Sequence, residues 1–119
     1  MFVTKIQSSG SPLLYSTFLG NTNSQVGDGG KSIAVDNLGN AYVTGYVTSG
    51  YGSPPDFPLV NPIPNSWSGG HIGFAAADAF VTKINPSGSD LVYSSLLGGN
   101  RTTGGLGIAV DSNSIAMCT

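Results

Sequence analysis

The chain has 119 residues, of which 18 are glycine and 7 are proline, and only 8% are charged. Four Lys and Arg residues stand against six acidic residues, all of them Asp, which gives a formal net charge of -2. So little positive charge excludes nucleic-acid binding by phosphate neutralisation. No apolar run approaches the ~18 residues that a membrane-spanning helix needs, so we expect no membrane insertion. With 39% hydrophobic residues the chain is also too apolar for disorder by composition, and it is long enough for one small domain or part of a larger one.

Eight strands are predicted in chain order, because short runs rich in Val, Ile, Tyr, Phe and Thr are bounded by Gly, Asn, Ser and Pro. No stretch shows helical periodicity of apolar residues. Residues 36–40 read as a short hairpin turn with Gly39 or Asn40 in the left-handed region, and Gly10 and Gly88 suit a positive φ in two further turns. The predicted strands span residues 2–6, 13–19, 31–36, 41–47, 79–84, 91–97, 106–111 and 115–119.

An internal repeat relates both ends of the chain to its middle. Residues 2–20 match residues 80–98 at an offset of 78, with identity at thirteen of nineteen positions. At an offset of 75, Gly29-Gly30 and residues 33–36 match residues 104–105 and 108–111. The difference of three residues falls in the Asn- and Gly-rich loop between Gly20 and Gly30, where a change of length costs little. Four strands per repeat, stacked radially, form a blade of a β-propeller.

The strand composition predicts how the blades are covered. Several strands are apolar on both faces, as expected when sheets stack with both faces covered. The strands around Ile33-Ala34-Val35 and Ile108-Ala109-Val110 are short and carry small residues, which suits a crowded inner position.

Five segments resemble the SBBP β-propeller repeat family in their order as well as their content. They read GIAVD at 107–111, NAYVTG at 40–45, DFP at 56–58, DAFVTKINPSG at 78–88 and LVYSSLLGG at 91–99. The resemblance implies an all-β fold of antiparallel, four-stranded blades and an extracytoplasmic location, and it supplies no catalytic residues. Two departures are the long segment 48–77 and the turn 111–114, which lacks the glycine present at Gly39.

The family's strand order divides the chain into one blade and two halves. Residues 31–97 form a complete blade with a Pro-rich insert at 48–77, residues 2–19 the last two strands of a preceding blade, and residues 106–119 the first two of a following one. A closed propeller needs roughly four blades, so the blades are incomplete within one chain and leave two open edges. We expect a non-enzymatic structural subunit that assembles head-to-tail with other copies of itself, as a closed ring or a filament. The predicted interface residues are Phe2, Val3, Ile6, Leu14, Tyr15, Ile108, Val110 and Met117.

The alternative is a fragment of a larger secreted propeller that binds a carbohydrate or a cell-surface protein. In that interpretation the Pro-rich insert is a contact arm whose exposed aromatic residues, Tyr51, Phe57 and Trp67, stack on sugars or pack on a neighbour. The competing interpretation is a loop folded back over the blade, with Phe57 and Trp67 as its anchors.

Other candidates for chemistry are weak, so we predict no metal, no cofactor and no catalytic residue. His71 is the only histidine and has no ligand partner at zinc spacing, and no Gly-x-Ser-x-Gly motif occurs. Asp36 and Asp111 hold matching turn positions, where an Asp side chain caps backbone N–H groups. Asn100 begins a glycosylation sequon, which matters only in a secreted protein. Cys118, the only cysteine, reads as a half-buried apolar residue, or as a reactive or intermolecularly paired thiol.

The predicted location is extracellular or at the cell surface, because low charge with abundant Ser, Thr, Asn and Gly suits such a surface. The segment 1–6 (MFVTKI) lacks the basic and long apolar regions of a signal peptide and reads as a strand. We therefore expect that any export signal lies upstream of this chain or does not exist.

Overall fold

The computed structural model describes residues 1–20, 27–48, 56–66, 77–99 and 101–119. Within these residues the chain is all-β, with antiparallel pairing and no helix, which confirms the predicted fold class. All eight predicted strands are found, with ends that differ from the prediction by at most two residues. They are β1 (Phe2–Ile6), β2 (Leu13–Phe18), β3 (Gly29–Val35), β4 (Ala41–Thr48), β5 (Ala77–Ile84), β6 (Leu91–Leu97), β7 (Ile108–Val110) and β8 (Ala116–Cys118).

The strands that the structure describes form three separate sheets. The central sheet has the order β3-β4-β5-β6, and the two-stranded sheets β1-β2 and β7-β8 stand on their own. β4 and β5 pair without interruption from Ala41 opposite Ile84 to Thr48 opposite Ala77. No closed propeller forms from the strands described, so the sheets are those of incomplete blades.

The core lies at the centre of the four-stranded sheet, because β4 and β5 are buried along nearly their whole length. On one face, Phe80 and Ile84 belong to a buried cluster that includes Val3 and Leu19 of the first sheet. On the other side, the Gly105 N–H donates to the Gly45 carbonyl at 2.9 Å, where the chain leads into β7. One face of the central sheet is thus covered by the first sheet, and the segment that leads into β7 covers part of the other face.

The prediction that β3 lies in a crowded inner position is wrong. Ile33 is 54% exposed and Val35 is 61% exposed. The reason is that β3 is an edge strand, which pairs with β4 alone and lacks a second neighbour among the described strands. β7 lies against β3 and β4 but leaves much of β3 uncovered.

The turns follow the predicted chemistry. Gly10, Gly39 and Gly88 have φ angles of 83°, 85° and 74°. Ser114 takes the place of Gly39 in the matching turn and adopts φ 63°, a region that glycine fills more readily. The prediction of a left-handed residue in the hairpin 36–40 is confirmed at Gly39.

Candidate assembly surfaces

The first sheet carries an exposed apolar face, which we call the outer face. Phe2 and Phe18 lie opposite each other in the β1–β2 pairing and are 71% and 91% exposed. Val3, between Phe2 and Thr4, is buried, because successive side chains of a strand point to opposite sides. An apolar surface of this kind on a small chain is a candidate interaction site. The exposed apolar residues of the outer face are Phe2, Ile6, Leu13, Leu14 and Phe18.

The repeat shows what covers such a face. At an offset of 78, the equivalents of Leu13 and Leu14 are Leu91, which is partly buried, and Val92, which is 42% exposed. The other three outer-face residues have buried equivalents in β5 and β6, namely Phe80 for Phe2, Ile84 for Ile6 and Leu96 for Phe18. Those three equivalents are at most 3% exposed. They share a cluster with Val3 and Leu19, which the neighbouring sheet supplies. The same positions are therefore core where a sheet lies over them and surface where none does.

An apolar cavity lies on the opposite side of the chain, beside β8. Its volume is about 670 Å³. Val81 and Leu97 line the cavity. They are the repeat equivalents of Val3 and Leu19, which belong to the buried cluster on the face of the central sheet that the first sheet covers. Among the described strands, β8 pairs with β7 alone. The chain thus presents an apolar face at one end and an apolar recess beside an unpaired edge at the other. The lining residues are Asn61, Ile63, Val81, Val92, Tyr93, Leu97, Ala116 and Cys118.

Two predicted interface residues are corrected by the structure. Val3 is 6% exposed and packs in the core of its own chain, so its side chain is not free for a partner. The Tyr15 ring lies against Gly88 in the turn between β5 and β6, and this burial raises the pKa of its hydroxyl. Both residues point inward because they alternate with outer-face residues along the strands.

The other predicted interface residues differ in exposure. Phe2, Ile6, Leu14 and Met117 are exposed. Ile108 and Val110 are partly buried. The Cys118 thiol is exposed, which corrects the expectation of a half-buried residue.

Phe57 is not an exposed contact residue. It is 5% exposed, and its ring centroid lies 4.9 Å from that of Phe80 at an interplanar angle of 41°. The contact-arm prediction is therefore wrong for Phe57, which anchors a loop folded onto the blade. Tyr51, Trp67, His71 and Asn100 lie outside the described residues.

Residues 56–66 cover the edge of the central sheet that β6 forms. Val60 and Ser94 exchange two backbone hydrogen bonds, of 3.1 and 2.7 Å. The Asn61 side chain donates to the Val92 carbonyl at 3.2 Å, and the Gly98 N–H donates to the Ser66 carbonyl at 2.9 Å. This pairing blocks strand addition at β6. Sequence reasoning missed it, because the alternating strand pattern is absent from a Pro-rich segment.

The buried carboxylate of Asp36 accepts several hydrogen bonds at the turn between β3 and β4. Asp36 Oδ1 accepts from the Leu38 and Asn40 N–H groups at 3.0 and 2.9 Å, which confirms the predicted turn cap. Asp36 Oδ2 accepts from the Asn40 amide at 2.8 Å and lies 3.0 Å from the Tyr42 hydroxyl and 3.5 Å from Lys83 Nζ. Burial by itself would raise the pKa of Asp36, but these hydrogen bonds outweigh it and hold the pKa well below its usual range. The hydrogen bond with Tyr42, opposed by burial, raises the pKa of Lys83.

The described residues hold no group of three or more His, Cys, Asp or Glu side chains that could bind a metal ion. Nor does that part of the chain contain a helix long and apolar enough to cross a membrane.

Comparison with known proteins agrees with this architecture. Residues 14–52 match the family model of SBBP, described as a beta-propeller repeat. This segment runs from β2 to just beyond β4 and covers about a third of the chain. None of the curated proteins compared with the chain matches it. Residues 14–52 are therefore similar to the SBBP beta-propeller repeat, the family that the motifs indicated, and a repeat of this kind suggests a propeller-type interaction module.

Proposed function

We propose that this chain is a non-enzymatic structural subunit that assembles head-to-tail, so that β7-β8 of one copy and β1-β2 of the next form one four-stranded blade. One observation carries the proposal. The exposed outer face has the same residue pattern as the face of β5 and β6 that is buried when a sheet covers it. A second copy supplies both the missing edge strands and the missing cover.

We take the register of the proposed joint, the pairing of β8 of one copy with β1 of the next, from the β4–β5 pairing in the central sheet. β7-β8 correspond to β3-β4 at an offset of 75, and β1-β2 correspond to β5-β6 at an offset of 78. The β4–β5 pairing therefore transfers to β8 and to β1 of the next copy. Its first three pairs are Ala41 with Ile84, Tyr42 with Lys83 and Val43 with Thr82. Their counterparts at the joint are Ala116 with Ile6, Met117 with Lys5 and Cys118 with Thr4.

The outer face of the incoming copy would then lie over the cavity beside β8. Phe2, Ile6 and Phe18 would meet Val81 and Leu97, as Phe80, Ile84 and Leu96 meet Val3 and Leu19 within the chain. Burial of a large apolar side chain contributes about 1.5–3 kcal/mol, so three contribute about 5–9 kcal/mol. Loss of translational and rotational freedom costs about 4–15 kcal/mol. The stabilisation from burying the outer face and the free-energy cost of association are of similar size. The backbone hydrogen bonds between β8 and β1 of the next copy therefore decide whether the assembly is stable.

The assembly is either a ring or a filament. The joint is heterologous, and such contacts close into a ring or continue as an open filament according to the rotation between copies. Each copy brings two blades' worth of strands, so a ring of roughly four blades needs about two copies. An extracellular location suits this low-charge surface and is part of the proposal.

Disulfide trapping tests the register directly. In the proposed joint Thr4 lies opposite Cys118, so a Thr4→Cys variant should form disulfide-linked multimers on mild oxidation. Ser16→Cys is the matched control. Thr4 and Ser16 pair across β1 and β2 and share a hydrogen bond of 2.9 Å, so both substitutions remove the same contact. Ser16 would lie one strand further from Cys118, about 10 Å away, beyond the ~7 Å Cα separation that a disulfide spans.

The readout is non-reducing electrophoresis combined with sedimentation velocity. A ladder, or a single closed species, with Thr4→Cys and none with Ser16→Cys would support the proposed joint. Equal cross-linking of both variants would overturn the register. A wild-type chain that stays monomeric at all concentrations would overturn self-assembly and favour the fragment of a larger propeller.

A further inference from the structure

We infer that an ion pair between Asp111 of one copy and Lys5 of the next fixes the register of the joint. This inference rests on the head-to-tail assembly proposed above. Asp111 and Lys5 would be the charged residues that specify the register of that assembly.

The template is the ion pair inside the central sheet. Asp36 follows β3, Lys83 lies on β5, and the two approach to 3.5 Å across β4. Lys83 Nζ also lies 4.8 Å from the centroid of the Tyr42 ring on the intervening strand. The Asp36 side chain is 1% exposed, so its charge is held in a site that water barely reaches.

The repeat places the same two charges at opposite ends of the chain. Asp111 corresponds to Asp36 at an offset of 75, and Lys5 corresponds to Lys83 at an offset of 78. Within one copy they do not meet. Lys5 Nζ donates to the Pro86 carbonyl at 3.4 Å, and none of the described cations forms an ion pair with Asp111.

The Asp111 carboxylate is already held in the orientation of its counterpart. Its Oδ1 accepts from the N–H groups of Asn113 and Ile115 at 2.9 and 2.8 Å. Asp36 makes the same two backbone contacts, two and four residues further along, at 3.0 and 2.9 Å. The second oxygen of Asp111 is therefore set as Asp36 Oδ2 is set, toward the place that a lysine of the third strand occupies.

The joint depends on this lysine more than the central sheet does. Asp36 Oδ2 has two further side-chain donors, from Asn40 and Tyr42. Their equivalents near Asp111 are Ile115 and Met117, which have no side-chain donor. Lys5 is thus the one repeat-equivalent side chain that can donate to this oxygen. A slip of one residue would also turn Lys5 to the other side of the sheet, so the pair selects a single register.

A double-mutant cycle tests the pair. Asp111→Asn removes the charge and keeps an oxygen for the two backbone contacts, and Lys5→Met removes the cation and keeps most of the stem. Each single variant should lower the association constant by about fivefold to thirtyfold, and the double variant should lose little more than either. Lys31→Met is the control, because Lys31 belongs to β3 and packs on Tyr46 of its own chain at 5.4 Å.

Association would be measured by sedimentation equilibrium in a low-salt buffer and in the same buffer with about 0.5 M added salt, because salt at that concentration strongly screens the attraction between charges. Salt should weaken assembly of the wild type more than that of the double variant. Additive losses in the cycle, or a loss with Lys31→Met equal to that with Lys5→Met, would overturn the ion pair. If Thr4→Cys still cross-links to Cys118 in that case, the proposed assembly stands without it. A monomeric wild type would overturn both.

Discussion

Replacing Phe57 by Ala tests whether the segment 56–66 is part of the folded blade. The Phe57 side chain is 5% exposed and packs on Phe80, which is fully buried. A buried aromatic side chain removes about 150–250 Å² from water, which at about 25 cal/mol per Å² sets a ceiling of about 4–6 kcal/mol. Because a surface segment can settle into part of the space, we expect a loss of about 3 kcal/mol in the free energy of unfolding.

Urea unfolding followed by far-UV circular dichroism measures this loss, at one protein concentration because assembly adds to apparent stability. The midpoint should fall while the slope stays unchanged. Leu59→Ala is the matched control, since Leu59 lies in the same segment but is 47% exposed, and it should cost under about 1 kcal/mol. Equal, small effects of both variants would refute the assignment of Phe57 as an anchor and would restore it as a contact residue.

Three further predictions concern the backbone and the buried carboxylate. Ser114→Gly should raise the free energy of unfolding by about 0.5–1 kcal/mol in urea, because it relieves a positive φ of 63°. Gly45→Ala should lower the thermal midpoint through a loss of about 1–3 kcal/mol, because its Cβ would run into the Gly29 carbonyl. A lowered pKa in the folded state means that Asp36 stabilises the fold above its ordinary pKa of about 4 and that this contribution is lost as the pH falls below it. Unfolding titrations between about pH 5 and 2 should therefore show a steeper fall for the wild type than for Asp36→Asn, and equal slopes would contradict this prediction.

Much of the fold was predictable because its signals are local. Strand runs, Gly-bearing turns and the Asp36 cap each depend on residues within a few positions of one another. The repeat added the relation between distant strands, since two segments of the same sequence adopt the same hairpin. These signals together predicted eight strands, and the resemblance to the SBBP family implied that four of them form one antiparallel sheet.

The surfaces were harder to predict. Phe2 and Phe80 occupy equivalent positions in closely similar segments, yet Phe2 is 71% exposed and Phe80 is buried. Nothing within either segment distinguishes them, because their exposure depends on whether another sheet lies alongside. Val3 was assigned to an interface for the same reason, although its own chain covers it.

By itself, the sequence determined that this protein is built of repeated β-strands with propeller-type motifs, because strand periodicity and turn residues act over short distances. Only the tertiary structure decided that the Pro-rich segment seals the edge of β6 through Val60 and Ser94, and that Phe57 packs inside. These contacts join residues far apart in the chain through backbone hydrogen bonds and shape. Neither the pairing of Val60 with Ser94 nor the packing of Phe57 produces a recognisable pattern in the local sequence.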